Sequence, residues 1–365
     1  MYSIAEFWNR IQPNLFTHLE IALDEKLTPK IQALVRVFDL IRIETFIPSP
    51  SLQGMGRPMK DSRAIARAFI VKAFYDYPTS KTLVEALNTQ PVLRKLCGFD
   101  TTGEVPSEAT FSRAFAVFAK EKLLDTVHEM RVKEVINDQI VMHISRDSTA
   151  VHAREKPVKT EKSEPKPSKR RGRPKRGEEP PKPEPTRLEK QVKQTFEEAL
   201  AELPYVCNVG GKKDTKGNHH WWTGWKAHSD WADGGIPLTV VTTSASLHDS
   251  QVAIPMAKVI ATRCTSLYDL MDSAYDAASI YQVSDELGHV PIIDPNRRRA
   301  DGLPKEPYRV ERYKERSTAE RGNSRLKDEF GLRHLRIRGH CKAHLHIMFG
   351  IIVLFADQCY KVLAT

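Results

Sequence analysis

Tyr313-Lys-Glu-Arg316-Ser-Thr-Ala-Glu320-Arg-Gly-Asn-Ser-Arg-Leu-Lys327 spaces four polar residues at positions 0, +3, +7 and +14. A helix turns about 100° per residue, so Tyr313, Arg316, Glu320 and Lys327 fall within an arc of roughly 60°. One helix of about four turns would therefore present a phenol, a guanidinium, a carboxylate and an ammonium on a single face. A carboxylate set among cations suits a site that holds a divalent metal and a phosphate backbone together. The competing reading is a solvated face laced with ion pairs one turn apart.

The spacing Tyr-x2-Arg-x3-Glu-x6-Lys resembles the signature of a large group of bacterial insertion-sequence transposases. These use an Asp-Asp-Glu triad on a ribonuclease-H-like fold. The resemblance implies an α/β catalytic domain with a five-stranded mixed sheet and flanking helices, preceded by an all-α domain. It also implies two more carboxylates upstream, each at the end of a strand. Ile140, Met142 and Ile144 alternate with Val141, His143 and Ser145 and lead to Asp147, beside Ser148 and Thr149. That stretch reads as a strand whose last residue can reach a metal, or else carries a turn-capping Asp. Further on, Asp272-Ser-Ala-Tyr resembles the family's Asp-x-Gly-Tyr, with Ala274 in place of the usual Gly and Asp269 and Asp276 nearby. Asp276 is expected to cap the following helix. Asp147, Asp272 and Glu320 are thus the catalytic and metal-binding residues that the resemblance implies. Mg²⁺ is the implied cofactor, with Mn²⁺ able to substitute. Two ions would serve the attacking and the leaving oxygen of in-line phosphoryl transfer. The implied reactions are cleavage at the ends of an insertion sequence and joining of the freed 3′-OH to target DNA. Tyr313, Arg316 and Lys327 would grip backbone phosphates. Between Asp272 and Glu320 lie 47 residues, too few for the large β-rich insertion that some relatives carry there.

Composition agrees with a polyanionic partner. The 365 residues carry a net charge of +10, which favours nucleic acid before a membrane surface. The five cysteines form no Cys-x-x-Cys pair, which argues against a disulfide framework. The N-terminus lacks the layout of a signal peptide. The longest apolar run, Ile347 to Ala356, is too short to span a bilayer and reads as a buried helix. The expectation is a protein of the bacterial cytoplasm and nucleoid that acts as a homodimer on double-stranded DNA, bringing terminal inverted repeats to a target.

Residues 1–135 read as a helical N-terminal domain, either a helix-turn-helix-like DNA reader or a bundle for dimerisation. Residues 136–365 read as the catalytic domain, interrupted at 152–187. Residues 151–190 hold fourteen Lys/Arg and eight Pro and no Phe, Tyr or Trp, a composition that cannot fold by burial. Within it, Lys169, Arg170, Arg171, Arg173, Lys175 and Arg176 form either an AT-hook-like arm for the minor groove or a general basic tether. A helix is expected at about 188–201. Four of the five Trp lie at 221–231. They pack in the sheet, or Trp221 or Trp222 stacks on an unpaired base at a DNA end. Asp249 is expected to cap a helix over about 250–263. Two other readings stand beside transposition: a transposase-derived DNA-binding protein without catalysis, and a nuclease that cuts but never joins.

Overall fold

The computed structural model of the chain describes residues 16–23, 25–48, 60–158, 184–213, 217–295 and 306–363. Helices α1 (Pro29–Ile41), α2 (Ser62–Phe74), α3 (Ser80–Thr89), α4 (Pro91–Cys97), α5 (Glu108–Lys120) and α6 (Leu123–Ile136) come first. Their starts follow local chemistry. The side chains of Thr28, Asp61 and Thr79 accept backbone N–H groups at the first turns of α1, α2 and α3, which would otherwise be orphaned. Gly98 ends α4 with φ 97°, a left-handed cap that favours glycine.

The sheet contains β1 (Ile140–His152), β2 (Asn208–Lys213), β3 (His219–Trp231), β4 (Pro237–Ser244), β5 (Thr265–Met271) and β6 (Val290–Ile293). Its order is β2-β3-β1-β5-β6, with β4 paired to β3. β1 is antiparallel to β3 and parallel to β5, and β5 is parallel to β6. This is the expected mixed, ribonuclease-H-like α/β arrangement, with six strands rather than five. The added strand, β2, pairs with the first half of the unusually long β3. The stretch expected as one helix at 188–201 is two, α7 (Arg187–Lys193) and α8 (Phe196–Ala201). The break has a local cause. Thr186 with Glu189 and Thr195 with Glu198 each form a capping box, so the second box starts a new helix.

Helices α9 (Ser250–Ala261), α10 (Ala278–Glu286), α11 (Pro307–Tyr313), α12 (Ser317–Asp328) and α13 (His340–Leu363) complete the fold. By length and composition α13 could cross a membrane, yet it is the core helix of the molecule, with every residue from Ile347 to Ala356 buried. One apolar core joins it to the N-terminal helices: Phe69 of α2 meets Phe111 and Phe115 of α5 and Phe349 of α13, with ring centroids 5.0–5.5 Å apart. On the other side of the sheet, the fully buried Arg146 makes a bidentate pair with Asp230 at 2.7 and 3.1 Å. Asp269, near the second expected carboxylate, accepts from Ser284 and pairs with His289 in the interior. It is a structural residue.

Burial shifts the titration of four histidines. Burial pushes His128 down to about 3 and His228, His340 and His346 down to about 4, from an ordinary value of 6.5. Below pH 6.5 the unfolded chain takes up protons that the folded protein refuses. The stability that comes from keeping these rings neutral is therefore complete above pH 6.5 and is lost as the pH falls towards 4. Urea unfolding midpoints should drop steadily between pH 7 and pH 4.5. A midpoint that stays flat across that range would mean these rings titrate as they do in water.

Candidate active site

In the parallel ladder between β1 and β5, the last pair is Ser145 opposite Leu270. Two residues further on, Asp147 and Asp272 come out side by side at the carboxyl edge of the sheet, where clefts of such sheets form. Asp272 sits just past the end of β5, as expected, and accepts the Ala274 N–H at 2.9 Å. Asp147 does not end its strand. β1 continues to His152 because β3 is long enough to keep pairing, up to His152 opposite Gly224. Only the parallel pairing stops, and that opens one edge of β1 at Asp147.

The signature is not carried by one helix. It runs through the end of α11, a 3₁₀ turn at Lys314–Arg316 and then α12. The Ser145 hydroxyl donates to the carbonyl of Glu315 inside that turn at 3.0 Å, which ties the signature to β1 two residues before Asp147. The four side chains still converge. Arg316 Nη2 donates to Glu320 Oε1 at 2.6 Å. Burial pulls the Arg316 guanidinium down, but Tyr313, Asp147, Glu320 and Asp272 together outweigh it and hold the group above its usual value. Burial pushes Tyr313 up to about 12. Burial also lowers Lys327, helped by the neighbouring charges of Lys212 and Arg333. Burial lifts the Asp147 carboxyl; the charge of Asp272 pushes the same way, while the Ser148 N–H and Arg316 push back.

Hard oxygen donors suit Mg²⁺, and two observations fit such an ion here. Asp147 and Asp272 face each other with Arg316 as the main nearby compensation. Beneath them the fully buried Tyr275 hydroxyl, close to Asp249, Asp147 and Asp272, has no hydrogen-bond partner. Glu320 is turned to Arg316, and among the described residues no three His, Cys, Asp or Glu side chains stand together as a closed cage.

Other expectations change. Asp249 stands at the cap position of α9 but its carboxylate turns instead to Lys226 Nζ at 2.9 Å. Asp276 does not cap α10, whose cap position is Ala277; it hydrogen-bonds with Tyr281. Trp222 is buried, and its indole N–H donates to the Trp225 carbonyl at 3.1 Å, so its ring is not offered to a base. Trp221 is 69% exposed. It lies across Gly211, where a Cβ would come within 2.7 Å of the ring. Lys169, Arg170, Arg171, Arg173, Lys175 and Arg176 lie outside the described residues. Sequence reasoning missed Lys212, on the β2–β3 hairpin, whose charge reaches both Asp147 and Lys327. It also missed Asn323, whose amide donates to Asp147 Oδ2 at 3.1 Å. Asn323 lies one turn beyond Glu320 on the same helix, which is the only signal that pointed to it.

The fold is of the ribonuclease-H-like α/β class. Residues 142–356 match the family described as "Transposase DDE domain", and residues 21–116 match "Transposase domain (DUF772)". The first match spans more than half of the chain, and the chain belongs to that family of insertion-sequence transposases. No curated protein and no solved structure matches it.

Glycine 322 sets how closely α12 sits on the sheet. A Cβ there would come within 2.5–2.6 Å of the Trp231 ring, itself fully buried. In an open helix, Gly→Ala stabilises by about 0.5–1 kcal/mol. Here Gly322→Ala should instead destabilise by about 1–3 kcal/mol, the usual cost of overpacking. A urea titration decides the sign, and a more stable variant would mean that the helix has room to move.

Proposed function

We propose that this transposase cuts DNA at the ends of its insertion sequence and joins the freed 3′-hydroxyl to target DNA, with Asp147, Asp272 and Glu320 as the metal-holding carboxylates. The observation that carries this reading is the β1–β5 register, which brings Asp147 and Asp272 to one edge, with the helix bearing Glu320 tied to Asp147 through Asn323 and the turn before it tied to β1 through Ser145. Bound Mg²⁺, or Mn²⁺ in its place, would supply charge for the attacking and leaving oxygens. The chain's own residues do the rest. Arg316, Tyr313 and Lys327 hold phosphates, and a phosphate that draws Arg316 away releases Glu320 towards the two aspartates. Positioning and charge carry this chemistry, since phosphoryl transfer asks little else of the protein.

Lys212, beside Lys327, extends the phosphate track onto the β2–β3 hairpin, and the exposed ring of Trp221 on that hairpin offers a stacking face for an unpaired base. The helices within 21–116 supply a second DNA contact, where Ser112 and Arg113 of α5 are exposed. We place the boundary between this helical unit and the catalytic unit near residue 135, and read the working form as a homodimer on DNA.

The test is cleavage of a labelled duplex bearing the element's own terminal sequence with Mg²⁺. Wild type should nick at the element's end, and Glu320→Gln, which keeps shape and loses charge, should be slower by at least about a hundredfold while binding the same DNA. Binding without nicking by both proteins would favour a DNA-binding role without catalysis. Nicks whose 3′ ends never become linked to target DNA would favour a nuclease. A second measurement addresses the hairpin. Stacking contributes about 1–3 kcal/mol per base, so Trp221→Ala should weaken binding to an end with a short single-stranded overhang by about tenfold. Trp221→Phe should bind near wild type, and fully paired DNA should bind alike in all three.

A further inference from the structure

Three hydrogen bonds in series end on Asp147. The indole Nε1–H of Trp231 donates to Ser229 Oγ at 2.8 Å, Ser229 Oγ–H donates to Asn323 Oδ1 at 3.1 Å, and Asn323 Nδ2–H donates to Asp147 Oδ2 at 3.1 Å. Trp231, Ser229 and Asn323 are all buried, at 0%, 1% and 5% exposure. The direction of this chain is forced from both ends. An indole N–H can only donate, and an ionised carboxylate can only accept. Ser229 must therefore pass its own hydrogen on to Asn323 Oδ1, and the amide nitrogen must face Asp147. Turning the amide over would set its oxygen against a carboxylate oxygen and take away the acceptor of the serine hydrogen.

We infer that Asn323 is the positioning residue for the first carboxylate: it fixes the rotamer of Asp147 and sets the distance from Asp147 to the helix that carries Glu320. Asn323 lies three residues after Glu320, so the two side chains sit on neighbouring turns of one rigid helix. Asn323 holds Asp147 by Oδ2, so the carboxylate is fixed against α12. Ser229, opposite Asp147 in the β1–β3 ladder, and Trp231, two residues on along the same strand face, orient the amide from below. Gly322 lets that helix approach closely enough for a single amide to bridge the gap. The inference rests on the reading of Asp147 as a metal ligand. Groups of this kind, which orient a ligand through its other oxygen or nitrogen, typically change metal affinity 10- to 100-fold when removed.

The experiment is Mn²⁺ binding to the full-length protein with its DNA end, followed by electron paramagnetic resonance, alongside the Mg²⁺ dependence of nicking. Asn323→Leu should raise the Mn²⁺ dissociation constant and the half-saturating Mg²⁺ concentration by about tenfold or more, with DNA affinity unchanged. Ser229→Ala and Trp231→Phe, which loosen the support beneath the amide, should shift both quantities in the same direction but less. Asn323→Asp keeps the shape and places a carboxylate against Asp147, and it carries the test if the leucine variant does not fold. Wild-type Mn²⁺ affinity and Mg²⁺ dependence in Asn323→Leu or Asn323→Asp would overturn the inference. Asp147→Asn separates the two readings: if it too leaves Mn²⁺ binding unchanged, the ligand assignment itself fails. If it abolishes binding while the Asn323 variants are neutral, only the positioning role fails.

Discussion

The closeness with which α12 lies on the sheet at Trp231 governs the whole site. The ring and the helix backbone meet where only a hydrogen fits, at Gly322. An ordinary side chain at that point would lift the helix, and the amide, hydroxyl and guanidinium contacts made from it would each lengthen beyond useful range. The edge that carries Asp147 and Asp272 is therefore assembled by packing first and by polar groups second. Packing brings the backbone into place, and Ser145, Ser229 and Asn323 then select one rotation and one height of the helix.

The two faces of the sheet divide the work. On the face that carries Asp147, α12 brings Gly322 against Trp231 and Asn323 to the carboxylate, while α13 fills the apolar core. On the opposite face, Arg146 and Asp230 are wholly buried as a bidentate pair, with the Asp269–His289–Ser284 group also enclosed. Such a pair repays much of its desolvation by good geometry, and removing one partner is far more costly than never having had either. Arg146 directly precedes Asp147 in the strand, so its anchoring also limits how far the backbone beneath the carboxylate can shift.

Much of this was legible in the residues. The spacing of Tyr313, Arg316, Glu320 and Lys327 pointed to a helical stretch, and the strand that runs up to Asp272 was read as such. What could not be read depended on partners distant in the chain. Nothing near Asp147 says that its strand runs to His152, because that is decided by the length of β3. The 3₁₀ turn at Lys314–Arg316 reflects a hydroxyl from Ser145, 170 residues earlier. Trp221 and Trp222 are adjacent and alike in composition, yet strand alternation and the neighbouring glycines send one to solvent and one inside. Asp249 and Asp276 fit the usual cap pattern, but Lys226 and Tyr281 offered them other partners. Asn323 is an ordinary polar residue in a charged helix until its neighbours on β1 and β3 are known.

The long helix α13 has a consequence for the order in which the molecule forms. It fills the core of helices that precede it by more than two hundred residues, with Phe349 against Phe69 and Phe115. At about 5–20 residues per second, ribosomal synthesis leaves α2 and α5 waiting on the order of ten to sixty seconds for that partner. Over that interval their phenylalanine faces have no final surface to cover them, and the nascent helices depend on provisional shelter, from one another or from a chaperone. The same late helix also packs against α12, through Arg325 and Asp357, so that helix too gains its full support only at the end of synthesis.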